Sequence, residues 1–168
     1  AMNHATLPVG RAPKVGIIAT GDELVAPGEE PGPDQIVASN TPALAALITA
    51  AGGEAIDLGI VRDNAEATVA ALSDGRDRAV DILVTLGGAS VGDHDLVRKA
   101  FSDVGMELGF WRIAMRPGKP LIFGHLGDIR ILGLPGNPVS SLVCAMLFLV
   151  PLVRAQQGDA APGPAYAA

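Results

Sequence analysis

Uncharged runs rich in β-branched residues alternate with amphipathic runs along the first two thirds of the chain. The runs Lys14–Ala19, Ala55–Val61 and Asp81–Leu86 have the composition of buried strands. Between and after them, apolar residues recur at helical spacing, which predicts helices that start near Ser39, Asp63 and Leu96. Three strand–helix units in succession predict an α/β domain with a parallel sheet.

Capping signals define where these helices begin and end. Ser39-Asn40-Thr41-Pro42 predicts the first helix start, and Gly52-Gly53 its end. Asp63 and Glu66 have the spacing of a capping box, and Gly75 predicts the end of that second helix. Between the first strand and the first helix, residues 25–38 are so rich in Pro and Gly that a helix is excluded.

The last third of the chain has a different pattern. Phe110–Met115 is predicted to be a strand, and two further apolar runs flank Gly127-Asp128, which is a hairpin signal. An antiparallel pair therefore joins the predicted sheet. Asn137 and Pro138 then predict the cap and first residue of a strongly apolar final helix.

Composition limits the classes of protein that fit. The 168 residues are enough for one domain; 49% are hydrophobic but only 4% aromatic, so the core must be aliphatic. A net charge of −6 argues against a nucleic-acid binder. The longest apolar run, Leu142–Val153, is too short to span a bilayer, and no signal peptide is recognisable. The single Cys144 excludes an internal disulfide. We expect a cytoplasmic protein without a membrane partner, with a flexible arm over residues 1–13, a domain over 14–154 and a flexible tail over 155–168.

The loop Gly87–Asp95 follows the third predicted strand and carries the densest group of chemically suggestive residues. Its glycines allow the backbone to approach a ligand, and the next helix offers its N-terminus to an anion. Asp93 and Asp95 either hold a divalent cation beside that anion or only cap the helix. The loop lacks the Lys-Ser/Thr pair of a P-loop.

Three other loops could contribute to a site. Thr20–Glu23 places two acids at a strand end, and 112–119 forms the dense basic cluster of an acidic chain. Pro135–Pro138 offers another helix N-terminus. Taken singly, each is equally an ordinary turn, cap or solvated loop. Because parallel strands end at one edge of a sheet, however, we expect the acids after these strands to lie close together.

Five motifs in this order resemble the molybdopterin-binding domain of MoeA-type molybdenumtransferases, which are related to the C-terminal domain of gephyrin. The motifs are Thr20-Gly21-Asp22-Glu23-Leu24, Ser39-Asn40, Gly87–Asp95, Arg116-Pro117-Gly118-Lys119-Pro120 and Leu134-Pro135-Gly136-Asn137-Pro138. The resemblance covers residues 14–154 and implies a three-layer α/β/α fold shared with MogA-type adenylyltransferases. The Gly-Gly-Ala-Ser-Val-Gly form of the loop favours the MoeA side.

The resemblance also implies roles for individual residues. Glu23, Asp63 and Asp95 match acids of the metal or molybdate site, and together with Arg116 and Lys119 they are the implied catalytic set. Arg112 and Arg116 stand where the family commonly has lysine. The implied ligand-binding residues are Thr20, Gly21, Asp22, Gly87, Gly88, Ser90, Gly92, Arg112, Pro135, Gly136, Asn137 and Pro138.

The function that the resemblance implies is the insertion of molybdate into adenylated molybdopterin, with release of AMP and assistance from Mg²⁺. MoeA-type proteins are multidomain, and their site is completed across a homo-oligomer, here expected to be a dimer or trimer. This chain corresponds to the central domain alone. The alternatives are a MogA-type adenylyltransferase and a non-catalytic module that binds molybdopterin or a partner protein.

Overall fold

The computed structural model describes residues 5–6, 8–87 and 100–163. Its strands are β1 (Lys14–Thr20), β2 (Leu24–Val25), β3 (Ile36–Val37), β4 (Glu54–Val61), β5 (Ile82–Leu86), β6 (Glu107–Trp111), β7 (Ile122–Leu126) and β8 (Ile129–Leu134). Its helices are α1 (Asn40–Ala50), α2 (Ala65–Asp77), α3 (Pro138–Cys144) and α4 (Val150–Gln156), and a π-helical turn (Ala145–Leu149) joins the last two. Residues 100–103 are also helical.

Six of these strands form one sheet in the order β4-β1-β5-β8-β7-β6. The first four are parallel, β7 is antiparallel to β8, and β6 is antiparallel to β7. The predicted mostly parallel sheet with an antiparallel hairpin is thus confirmed. Gly127 adopts φ +57° in the two-residue hairpin turn, a conformation that glycine enters without a steric penalty.

Two apolar clusters cover the two faces of the sheet, because successive side chains of a strand point to opposite sides. Ile17 packs in one cluster with Leu44 of α1 and Leu149 of the final helical segment. Its neighbour Ile18 packs in the other cluster with Leu72 of α2 and Phe101. Helices therefore lie on both sides of the sheet, which makes the three-layer arrangement that the resemblance implies.

The second helix differs from its predicted bounds at both ends. Its N-cap is Asn64, not Asp63: the Asn64 side chain accepts a hydrogen bond from the Ala67 amide at 2.8 Å. The helix also continues past Gly75 to Asp77. Gly75 is buried, and a Cβ there would lie 3.3 Å from Leu83 Cδ1. This glycine therefore allows close packing of the helix on the sheet and does not end the helix.

The predicted strand Phe110–Met115 is wrong in its bounds, since β6 spans Glu107–Trp111. Arg112 directly after it has φ +109°, which interrupts the regular strand, although its amide still donates to the Leu121 carbonyl oxygen at 2.9 Å. The Arg112 guanidinium instead stacks on the Trp111 ring, with Cζ 4.1 Å from the ring centroid.

The final helical segment, Pro138–Gln156, is longer than the apolar run found in the sequence. With 19 residues it is long and apolar enough, by length and composition, to cross a membrane. One face of it, which carries Cys144, Leu149 and Val153, is fully buried in the cluster that covers the sheet. In all, 28% of its most apolar 18-residue stretch is buried, and Val139 and Met146 on its other faces are 65% and 59% exposed. Pro151 is accommodated directly after the π-helical turn, where the helical hydrogen-bonding pattern has already changed.

Candidate functional site

A cavity of about 680 Å³ opens at the carboxyl ends of the parallel strands. Its lining includes Thr20 at the end of β1, Gly87 after β5 and Pro135 after β8. The start of α1 and the segment 21–38, hereafter the flap, form the remaining wall. Ligands of open α/β sheets bind at this edge.

Close packing of two strand ends forms the floor of the cavity. Thr20 Oγ1 donates to the Leu86 carbonyl oxygen at 3.3 Å, and the Gly87 amide donates to the Leu134 carbonyl oxygen at 3.3 Å. Gly87 has φ +94°, and a Cβ there would overlap the Thr20 carbonyl oxygen. Glycine is therefore required at position 87 by the contact between β1 and β5, before any ligand is considered.

The turn Pro135–Pro138 forms one side of the cavity. Asn137 caps α3, since its Oδ1 accepts from the Ser140 amide at 3.2 Å, and Pro138 is the first helical residue, as predicted. Asn40 at the start of α1 donates from Nδ2 to the Gly136 carbonyl oxygen at 2.8 Å. This bond joins the two helix starts that border the cavity.

The flap is held by a short parallel pairing of β2 with β3. The Ile36 amide donates to the Glu23 carbonyl oxygen at 2.8 Å, and the Ala38 amide donates to the Val25 carbonyl oxygen at 2.9 Å. Ile36 and Val37 line the cavity although they are 58% and 37% exposed. They present an apolar surface at the cavity mouth.

Two acids from different loops line the same cavity. Glu23 is exposed and its carboxylate lies against Gly21, where a Cβ would be 2.5 Å from Glu23 Oε2. Asp63 is half-buried on the loop after β4. Within residues 5–6, 8–87 and 100–163, no three His, Cys, Asp or Glu side chains are grouped closely enough to hold a metal ion. Two carboxylates nevertheless suit Mg²⁺, which usually completes its shell with water and substrate phosphate.

The basic turn 112–119 lies beside the cavity and not in its lining. Arg112, Arg116 and Lys119 are exposed, and the turn reaches the lining only through Pro120. Its base is closed by a bond of 3.0 Å from the Ile113 amide to the Lys119 carbonyl oxygen. These cations can therefore neutralise a ligand group that extends out of the cavity.

The structure thus brings many of the predicted site residues together. The predicted residues that line the cavity are Thr20, Glu23, Asp63, Gly87, Pro135, Gly136, Asn137 and Pro138. Those outside its lining are Gly21, Asp22, Arg112, Arg116 and Lys119. Gly88, Ser90, Gly92, Asp93 and Asp95 lie outside the described residues.

Sequence reasoning missed several lining residues. They include Ile36, Val37, Asn40, Pro120 and Ser140. Asn40 carried a usable signal, since it belongs to one of the five motifs, but its pattern indicated only a helix start. Ile36 and Val37 carried none, because two apolar residues in a Pro- and Gly-rich loop do not indicate a ligand contact.

The fold and the cavity together define an α/β ligand-binding domain whose site lies where the parallel strands end. A family model described as a probable molybdopterin binding domain matches residues 16–155, and the chain belongs to this family. The resemblance drawn from the five motifs is confirmed. The chain is therefore a domain of the molybdenum cofactor biosynthesis family.

Known relatives agree with this assignment. The chain is 40% identical over 146 residues to a molybdopterin molybdenumtransferase of Haemophilus influenzae. The aligned part covers 87% of this chain and 36% of that protein. It is 42% identical to the enzyme of the same name from Nostoc sp., with 87% of this chain and 34% of that protein covered. A crystal structure of the molybdopterin biosynthesis MoeA protein from Pyrococcus horikosii superposes with TM-score 0.79 at 37% identity, over 88% of this chain and 36% of that one. The chain therefore spans about a third of the length of these relatives.

Proposed function

We propose that this chain is the molybdopterin-binding part of a molybdopterin molybdenumtransferase, and that its cavity at the carboxyl edge of the sheet binds adenylated molybdopterin. The observation that carries the proposal is the convergence of Thr20, Gly87 and Pro135–Pro138 on one cavity of about 680 Å³. This volume falls within the usual range of small-molecule sites, about 300–1,000 Å³.

The cavity offers distinct surfaces to the two ends of such a ligand. Ile36 and Val37 provide an apolar face for a planar ring at the mouth. Arg112, Arg116 and Lys119 beside the cavity provide positive charge for phosphate and oxyanion groups. In the proposed reaction, the two dithiolene thiols form two bonds to molybdenum, and one molybdate oxygen leaves with their two protons as water. A water molecule cleaves the phosphoanhydride, so that AMP leaves and the other phosphate stays on molybdopterin.

Glu23 and Asp63 are the described residues that would hold Mg²⁺, with Asp95 of the loop outside the described residues as the third candidate. A bound Mg²⁺ would supply Lewis-acid assistance and orient the phosphates. The protein's own part is to present both carboxylates to the cavity, while Gly87 at the end of β5 leaves room for the phosphates.

Isothermal titration with adenylated molybdopterin tests the binding site. We expect Glu23→Gln and Asp63→Asn, which keep side-chain size, to lose the Mg²⁺ dependence of the affinity. Glu30→Gln is the matched control, because Glu30 is an exposed acid of the flap that does not line the cavity. Equal Mg²⁺ dependence in all of these proteins would contradict the assignment of the two acids.

Product analysis separates the proposed activity from its alternatives. Molybdate should trigger AMP release from bound adenylated molybdopterin when the chain forms part of an enzyme of the relatives' full length, which we expect to be a cytoplasmic homo-oligomer. Formation of the AMP ester from molybdopterin, ATP and Mg²⁺ would instead support the adenylyltransferase alternative. Tight binding without AMP release in that longer protein would support a non-catalytic binding module.

A further inference from the structure

A second cavity, of about 570 Å³, lies on the other side of the flap. It is enclosed by the flap, the first half of α1 and β4, which is an edge strand of the sheet. Leu24, Ala38 and Thr41 line both cavities, so the flap forms the wall between them. The proposed function does not use this second cavity, and of the five motifs only the first reaches it, through Leu24.

Small and apolar side chains form most of the walls of the second cavity. Ala26, Pro27, Ala45 and Ala55 are among them. Because these side chains are short, they leave open a space that an aliphatic group could fill. Covering such a surface is favourable in proportion to the apolar area removed from water.

Two carboxylates lie in this mostly apolar lining, and each accepts one hydrogen bond from a backbone amide. Asp57 Oδ1 accepts from the Gly59 amide at 2.8 Å, in a turn where Gly59 has φ +87°. Glu29 Oε2 accepts from the Ala26 amide at 3.1 Å. Both acids are exposed, and among the described residues one oxygen of each accepts a hydrogen bond from the backbone.

Among the described residues, these two acids have no basic side chain beside them in the cavity lining. The lining of the second cavity contains neither Lys nor Arg, and among the described residues no ion pair involves Glu29 or Asp57. A cavity with aliphatic walls and two unpaired carboxylates is complementary to a cation on an aliphatic stem.

We propose that the second cavity is a binding site for an amphipathic organic cation, namely a primary ammonium group on a short aliphatic stem. The stem lies among the alanine and proline side chains, and the ammonium group bonds to Asp57 and Glu29. A free alkylamine and a lysine side chain share this chemistry. The inference is independent of the proposed function, because it uses neither Glu23, Asp63 nor the basic turn.

Titration of ¹⁵N-labelled protein with hexylammonium, followed by amide chemical shifts, tests the site. Hexanol and hexanoate are the matched probes, with the same stem and a neutral or negative head. We expect saturable shifts for Ala45, Asp57 and Gly59, which line only the second cavity. Hexylammonium should bind more tightly than hexanol, and hexanoate least tightly. Equal affinity of the three probes, or no shift at these amides, would overturn the proposal.

Two double variants separate a specific site from the general negative charge of the protein. Asp57→Asn with Glu29→Gln keeps the acceptors for Gly59 and Ala26 but removes both charges, and should weaken hexylammonium binding about fivefold or more. Glu30→Gln with Asp34→Asn removes the same charge from flap residues outside the second cavity and should leave the affinity unchanged. Equal weakening in both variants would show a nonspecific charge effect and overturn the proposal. Ala45→Leu, which fills the space but keeps both acids, should abolish binding.

Comparison with Nα-acetyl-lysine N-methylamide identifies the source of the cation. Tighter binding of this compound than of hexylammonium would assign the site to a lysine side chain of a protein partner. Tighter binding of hexylammonium would assign it to a free alkylamine. If the protein binds the amine but not adenylated molybdopterin, only the proposed function is contradicted. The two inferences can therefore fail separately.

Discussion

Asn40 Nδ2 donates a hydrogen bond of 2.8 Å to the carbonyl oxygen of Gly136, a residue 96 positions later in the chain. The bond joins the start of α1 to the turn before α3, and both segments border the first cavity. It therefore fixes the distance between two walls of the proposed ligand site.

We expect Asn40→Ala and Asn40→Asp to weaken the binding of AMP several-fold and to lower the free energy of unfolding by about 0.5–1.5 kcal/mol. Asp is close to Asn in size but cannot donate the bond. Titration with AMP and urea unfolding measure the two effects. Thr49→Ala is the control, since it removes a hydrogen bond within α1, from Thr49 Oγ1 to the Ala45 carbonyl oxygen, at a distance from the cavity lining. Unchanged AMP affinity in both Asn40 variants would refute a positioning role for Asn40.

Gly87→Ala should destabilise the protein more than Gly28→Ala does. The two glycines have similar positive φ values, +94° and +98°, so both substitutions place an alanine in a φ region that L residues rarely adopt. Only at Gly87 does the added Cβ overlap another atom, the Thr20 carbonyl oxygen, whereas nothing lies within 4 Å at Gly28. We expect an extra loss of about 1–3 kcal/mol at Gly87, measured by urea unfolding. Equal losses of unfolding free energy in the two variants would mean that the ends of β1 and β5 can move apart without destabilising the protein.

The N-terminal end of the sheet carries an ion pair whose contribution depends on pH. Arg11 Nη1 lies 2.6 Å from Asp81 Oδ2, which also accepts from the Lys14 amide at 2.7 Å. The hydrogen bond from Arg11 holds the pKa of the Asp81 carboxyl below its ordinary value, against the opposing effect of burial. The folded protein therefore keeps this carboxylate charged to lower pH than the unfolded chain does.

It follows that Asp81 stabilises the fold fully above its ordinary pKa of about 4, and that this stabilisation is lost as the pH falls through the lowered pKa. Asp81→Asn should lower the free energy of unfolding at pH 7 by about 0.2–1 kcal/mol, because Arg11 is exposed and solvent screens the pair. The difference from wild type should shrink between about pH 4 and pH 2. Asp77→Asn is the control, because Asp77 is exposed and forms no ion pair with another described residue. A difference that stays constant down to the lowest pH would be inconsistent with the ion pair.

The thiol of Cys144 should be unreactive in the folded protein. Its side chain is fully buried beneath the basic turn, with Sγ 3.9 Å from the Gly118 carbonyl oxygen. Burial raises the pKa of this thiol, because the thiolate is poorly solvated there. Labelling with a disulfide reagent at pH 8 should therefore be slow in buffer and fast in urea. Fast labelling of the native protein would mean that the turn opens readily.

The uncharged runs rich in β-branched residues, with helical spacing between them, were sufficient to predict most of the architecture. Ile17 and Ile18 belong to opposite clusters because a strand has a period of two residues, and this can be read without knowledge of any partner. The hairpin at Gly127 and the cap at Asn137 were predicted for the same reason: glycine and capping residues act on their own neighbours. Asp63 was predicted as the cap from its spacing to Glu66, but the cap is Asn64. The sequence pattern did not distinguish between these two adjacent capping residues.

Within the described residues, the sequence by itself determined the fold class, the order of the elements and the edge of the sheet where the site lies. Only the tertiary structure decided which side chains line the cavity. Glu23 and Asp63 both line it, while the Arg112 guanidinium stacks on the Trp111 ring. The physical reason is that strand and helix signals arise between neighbours in the chain, whereas a cavity is formed by contacts such as Asn40 with Gly136, whose partners the local pattern does not specify.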